Sequence, residues 1–172
     1  MENQVTTHAF KGLLIALVLI VLSLIGQFAN LQFEKWWGYI NWAIMVGAFI
    51  GSVIYYGKQK NNDVTFGELF THGFKTTAVT AVVVFVYTVL SVYVIFPDQL
   101  DKMWEKGVEE AMKGGKVTAE QLEQGAAIGR KIMTVTVLAG SLVGTLIIGT
   151  VGSLIGAGAA KKNPAPTPFE QQ

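Results

Sequence analysis

Four long stretches of the chain contain no Asp, Glu, Lys or Arg and are separated by polar segments. Each stretch is about 21 to 29 residues long, and about 20 apolar residues are enough to span the hydrocarbon core of a bilayer. A single span in lipid satisfies its backbone hydrogen bonds internally only as an α-helix. The pattern therefore predicts four membrane-spanning helices, at residues 12–33, 36–57, 75–96 and 132–160.

Two alternative folds fit this pattern poorly. One apolar run is compatible with a buried core helix of a soluble protein, but four runs in 172 residues leave too little polar sequence to cover them. Strands of a transmembrane β-barrel alternate apolar and polar residues, whereas residues 82–87 do not alternate. We therefore expect an all-α fold, a four-helix transmembrane bundle.

The segments between the spans predict two further helical elements. Thr65 and Glu68 have the spacing of a capping box, and aromatic and apolar residues recur at helical spacing through residues 66–74. This predicts a short amphipathic turn on the membrane surface before the third span. Residues 98–131 carry an apolar stripe with acidic residues at other helical positions, interrupted by Gly114 and Gly115. They predict a short amphipathic helical hairpin outside the membrane.

These elements predict the domain organisation and the topology. Residues 1–162 are expected to form a single membrane domain, and residues 163–172, which contain three prolines, a disordered tail. An even number of spans places both termini on the same side. The lysines on that side lie close to helix ends, which favours cytoplasmic termini in a multi-pass protein under the positive-inside rule.

Small residues recur at steps of three or four in the second and fourth spans. Such spacing lets two helices approach closely and gain dispersion contacts, which drives association where lipid provides no hydrophobic force. Packing within the chain is the simpler interpretation, and the fourth span is also a candidate contact with a second copy or another membrane protein. The predicted helix-packing residues are Gly47, Gly51, Gly140, Gly144, Gly149, Gly152 and Gly156.

Aromatic residues cluster at the ends of the second span and in the predicted hairpin. Amphipathic rings favour the level of the lipid headgroups, although ordinary packing between helices is an alternative role for each of them. The predicted interfacial anchors are Trp36, Trp37, Trp42, Tyr55, Tyr56 and Trp104.

The residues that carry chemistry are sparse. Apart from Lys75 at the boundary of the third, none of the four predicted spans contains a charged residue, which counts against a proton-coupled transporter or a membrane hydrolase. His8 and His72 are expected near the same interface, but no carboxylate or cysteine is placed to complete a metal site with them. Surface carboxylates such as Glu109 and Glu110 fit a solvated helix face. We therefore expect no enzyme activity, no cofactor and no metal, and a net charge of +1 argues against nucleic acid as a partner.

The chain resembles a known family in three places. These are residues 65–74 before the third span, the charged loop after that span, and the glycine-rich last span that ends at Lys161 and Lys162. They resemble the small four-span membrane proteins grouped as domain of unknown function 4199, found mainly in Bacteroidetes. The resemblance implies four helices in the bacterial inner membrane and implies no activity or cofactor.

Two functions remain open from the sequence. The first is a non-enzymatic inner-membrane protein that acts as a helix-packing scaffold or accessory subunit. The second is a small channel or carrier for a neutral or lipid-like solute, working through the hydroxyl and amide groups of the spans. Interhelical hydrogen bonding is the simpler role of those groups.

Overall fold

In the part that the structure, a computed structural model, describes, all regular secondary structure is helical. That part is residues 5–115 and 118–163, without the side chains of residues 119–124. Apart from residue 163, the predicted tail lies outside the described residues. The elements are α1 (His8–Phe28), α2 (Lys35–Gln59), α3 (Phe66–Leu90), a π-helical turn (Ser91–Ile95), α4 (Gln99–Lys113) and α5 (Ala119–Ala159).

Four segments are long and apolar enough to cross a bilayer. They are His8–Phe28, Lys35–Gln59, Phe66–Ile95 and Gly125–Ala159. At most 28% of the residues in any of their apolar windows are buried within the protein, so most apolar side chains point outward. A soluble protein does not expose so much contiguous apolar surface, whereas lipid tails solvate it. The predicted all-α fold with four apolar spans is confirmed.

The third helix begins earlier than the predicted third span. The Thr65 hydroxyl accepts a hydrogen bond from the Glu68 amide at 3.2 Å, and the Thr65 amide donates to the Glu68 carboxylate at 2.7 Å. The predicted capping box is therefore present. Residues 66–74 are the first turns of an uninterrupted α3 and do not form a separate surface turn.

The third helix ends in a π-helical turn before a proline. The Phe96 amide donates to the Ser91 carbonyl at 2.7 Å, which is the i to i−5 bond of a π-helix. Pro97 disfavours helical backbone in the residue before it, and Phe96 has left the helical region with φ −135° and ψ 64°.

The first of two compact units contains α1, α2, the part of α3 up to Val83 and the part of α5 from Thr145. A cluster of buried side chains joins α2, α3 and α5 in this unit, and it includes Val53, Leu69 and Ala157. After α5 the chain is held on the turn between α2 and α3. The Asn163 backbone amide donates to the Asn62 carbonyl at 2.9 Å.

The second unit, Val84–Gly144, contains the end of α3, the π-helical turn, α4 and the first part of α5. An ion pair joins Arg130 of α5 to Asp101 of α4, and the Trp104 ring lies directly against Gly129. These contacts form the predicted helical hairpin, whose second arm is continuous with the fourth apolar span.

The outer face of α4 is charged and exposed. The Lys113 ammonium lies 2.5 Å from the Glu109 carboxylate, one helical turn away. The hydrogen bond between them lowers the pKa of the Glu109 carboxyl and raises the pKa of the Lys113 ammonium. The arrangement is that of a solvated helix face.

Candidate functional site

Three glycines of α5 lie against α2 in the first unit. A methyl group added at Gly152 would stand 2.9 Å from Phe49 Cβ, and one at Gly156 would stand 2.9 Å from Val53 Cβ. At Gly149 the space is occupied by the Thr77 side chain of α3 and by the Phe49 ring. These three predicted helix-packing residues therefore lie where helices approach one another most closely.

The neighbouring face of α3 is also built from small residues, which the sequence analysis did not single out. A methyl group at Gly73 would stand 2.6 Å from Ser153 Oγ and from Val53 Cγ2. The Thr77 and Ser153 hydroxyls face each other at 3.4 Å. Small residues at steps of three and four on α3, from Gly73 through Thr76 and Thr77 to Thr80, are the sequence signal that identifies this face.

The first helix joins this packing through Gly12. The Thr80 hydroxyl lies 3.0 Å from the Gly12 carbonyl of α1 and 3.0 Å from the Thr76 carbonyl of its own helix. A methyl group at Gly12 would stand 2.8 Å from the Thr76 carbonyl oxygen. The first unit is thus held by small residues on α1, α3 and α5, with hydroxyls that satisfy backbone carbonyls.

The other four predicted packing glycines have open surroundings within their own units. A methyl group at any of them would meet no described atom of its unit within 4 Å; they are Gly47 and Gly51 of α2 and Gly140 and Gly144 of α5.

The predicted aromatic anchors divide into two groups. Trp36, Trp42 and Tyr55 are at least half exposed and project from α2. The other three are partly buried and pack on other elements of their own units: Trp37 on Gly26, Tyr56 on His72, and Trp104 on Gly129.

A buried lysine lies at the start of the first apolar helix. Lys11 is in the first turn of α1 and is only 6% exposed. Its Nζ has no hydrogen-bond partner among the described residues. It lies 5.1 Å from the centre of the Tyr55 ring and 5.2 Å from that of Tyr56. The lysine was expected to flank the span, whereas α1 begins before it, at His8.

Aromatic rings continue from this lysine to the start of α3. The Tyr56 ring stacks on the His72 ring, with centres 3.8 Å apart and an angle of 7°. The His8 ring meets His72 edge to face at 6.2 Å. His72 is buried, and its Nε2 has no hydrogen-bond partner among the described residues. The two histidines are therefore neighbours, although no group of three or more His, Cys, Asp or Glu that could hold a metal occurs in the described part of the chain.

Two open grooves lie beside Lys11 and these aromatic rings. One, of about 490 Å³, has polar walls that include His8, Glu68, His72 and Lys75. The other, here called the α1–α2 groove, has a volume of about 410 Å³. Residues of both helices line it, among them Thr6, Lys11, Leu14, Ile15, Ala48 and Tyr55.

Comparison with known proteins gives one match. The family described as "Protein of unknown function (DUF4199)" matches residues 11–162. No curated protein and no solved structure matches the chain.

Proposed function

We propose that this chain, which belongs to the DUF4199 family of unknown function, is a non-enzymatic membrane scaffold or accessory subunit. The observation that carries this proposal is the contrast between the two glycine sets of α5. Gly149, Gly152 and Gly156 are occupied by other helices of the first unit, whereas Gly140 and Gly144 meet no described atom of the second.

Gly140 and Gly144 have the G-x-x-x-G spacing of helix-association motifs. In lipid such a face gains dispersion contacts only when another helix approaches, since lipid tails are as apolar as the helix itself. We propose that this face contacts a helix of a second copy or of another membrane protein. The partner is then a membrane-embedded helix rather than a soluble protein or a nucleic acid.

Co-purification in a mild detergent tests the scaffold role. The wild-type chain should elute as a homo-oligomer or with a membrane-protein partner. The Gly144→Ile variant should elute as a monomer without that partner, because the larger side chain keeps the facing helix away. Gly158→Ile is the matched control, since Gly158 lies on the same helix and also has open surroundings. A wild-type chain that is monomeric and without a partner would contradict the proposal.

We also propose the bacterial inner membrane as the location, with both termini in the cytoplasm. Basic residues on the side of the two termini, most of them close to a helix end, support this orientation under the positive-inside rule. They are Lys11, Lys58, Lys60, Lys75, Lys161 and Lys162. A green fluorescent protein fused after Gln172 should fluoresce, because it folds in the cytoplasm and not after export. A full-length but dark fusion would reverse the orientation.

A second candidate function is a carrier for a neutral or lipid-like solute. The α1–α2 groove favours it, since Leu14, Ile15 and Ala48 give an apolar lining open on one side. Flux of such a solute into liposomes should depend on the protein and fall when Gly51→Leu fills the groove. Absence of protein-dependent flux would dismiss this candidate.

A further inference from the structure

The α1–α2 groove changes from polar to apolar along its length. Thr6 precedes α1, Lys11 lies in its first turn and Tyr55 lies near the end of α2. Most of the polar lining, beside Phe10, is therefore at one end of both helices. Leu14 and Ile15 lie about one turn further along α1. Because the two helices run in opposite directions here, the groove has a polar mouth and an apolar interior.

The polar mouth holds a cation without a counterion. No described residue forms an ion pair or hydrogen bond with Lys11 Nζ, although the side chain is 6% exposed. A buried charge is costly unless it is paired, and the two tyrosine rings compensate only part of that cost. The first turn of α1 has no acidic residue, so the positive end of its dipole adds to the uncompensated charge. An anion is therefore the complementary ligand.

A second unsatisfied polar group lies next along the groove. Several hydroxyls elsewhere in the apolar helices donate to the carbonyl four residues earlier; Thr76, Thr77 and Ser153 are examples. Ser52 also lines the groove, but its Oγ is buried and has no partner among the described residues. Ser52 is about 4.5 Å from Tyr55 along the helix axis, on the apolar side of the mouth. The Ser52 hydroxyl is therefore an unpaired donor on the apolar side of the Lys11 ammonium.

A cation, then a hydroxyl donor, then an apolar lining follow one another along the groove, and this order matches the chemistry of one class of molecule. We infer that the α1–α2 groove binds an anionic glycerophospholipid. Its phosphate pairs with Lys11, an ester carbonyl accepts from Ser52, and the start of an acyl chain lies along Leu14 and Ile15. Tyr55, which is 55% exposed, turns aside to uncover the ammonium.

The surroundings of the groove favour an anionic lipid over a neutral one. Lys58 lies in the last turn of α2 and Lys60 directly follows that helix. Lys161 and Lys162 follow α5 in the same unit. Basic residues next to a membrane attract anionic headgroups. This inference is independent of the scaffold role, because it concerns α1 and α2 and does not involve the Gly140 and Gly144 face.

Thermal unfolding of the full chain in a non-ionic detergent tests the inference. Phosphatidylglycerol should raise the Tm by about 5 °C, as a ligand that binds only the folded state does. Phosphatidylcholine with the same acyl chains lacks the net charge, and inorganic phosphate lacks the chains. Each should change the Tm by less than about 1 °C.

Two variants remove the site in different ways. Lys11→Met removes the cation, and Gly51→Leu fills the groove at a position where a side chain meets no described atom of its unit. Both should abolish the phosphatidylglycerol shift, and either one suffices if the other fails to fold. Lys35→Met and Gly47→Leu are the matched controls, since neither residue lines the groove and Lys35 lies at the opposite end of α2. Both should keep the full shift.

Three outcomes would overturn the inference. Equal stabilisation by phosphatidylcholine would show general lipid solvation, and equal stabilisation by inorganic phosphate would show a free-anion site. A phosphatidylglycerol shift that survives in a site variant that folds would place the lipid elsewhere.

Discussion

Glycines in the same helix differ in what a side chain at their position would meet. On α5, Gly156 faces Val53 Cβ and the Ile50 backbone, while Gly158, two residues later, faces open space. Close approach is therefore a property of one helix face and not of glycine content. This difference allows a test at single residues.

Gly156→Ala should destabilise the protein by about 1 to 3 kcal/mol, because the added methyl group would stand 3.0 Å from the Ile50 carbonyl oxygen and force the backbone to shift. Gly158→Ala should be neutral or stabilising by up to about 1 kcal/mol, since alanine favours helix over glycine. Reversible unfolding in mixed detergent micelles measures both. Equal stabilities of the two variants would contradict the packing described here.

The sequence predicted only part of this packing for a physical reason. Spacing at steps of four marks a stripe of small residues but does not say which neighbour lies against it. Gly47 and Gly51 share the spacing of the α5 glycines, yet their stripe is open. The burial of Lys11 was not predicted for a similar reason, because Tyr55 and Tyr56, which cover it, are more than 40 residues away along the chain.

Two helix boundaries are set by local sequence signals and were predictable from the sequence. The capping box at Thr65 and the stop before Pro97 are both local signals. What the sequence did not predict is the continuity of α3 from Phe66 through Lys75 into the apolar part. Lys75 was interpreted as the boundary of the span, but an exposed lysine within a helix can extend its long side chain towards the interface.

Thr65→Ala should destabilise the start of α3 by about 1 kcal/mol, because the Glu68 amide loses its acceptor. Glu68→Gln should cost less, since glutamine also completes a capping box. Amide hydrogen exchange of residues 66–70 measures the local effect. Unchanged exchange in Thr65→Ala would show that tertiary contacts alone hold this end.

Across the whole molecule, the outward-facing side chains carry the main argument. The four apolar helices bury few of their residues, and beside apolar side chains such as Phe49 the buried positions include hydroxyl-bearing ones such as Thr76 and Ser153. A soluble protein buries large apolar side chains and exposes polar ones. Here lipid is the solvent, so packing depends on close contact and hydrogen bonding. Four long apolar helices of this kind are those of a multi-pass membrane protein.

The most direct test of four crossings is the sidedness of introduced cysteines, because the native chain contains none. Single cysteines at Glu34, Asn61, Gly114 and Lys162 lie between or beyond the four apolar segments. An impermeant maleimide applied to sealed vesicles should label Asn61→Cys and Lys162→Cys from one side, and Glu34→Cys and Gly114→Cys only from the other. Labelling of all four positions from the same side would contradict four crossings.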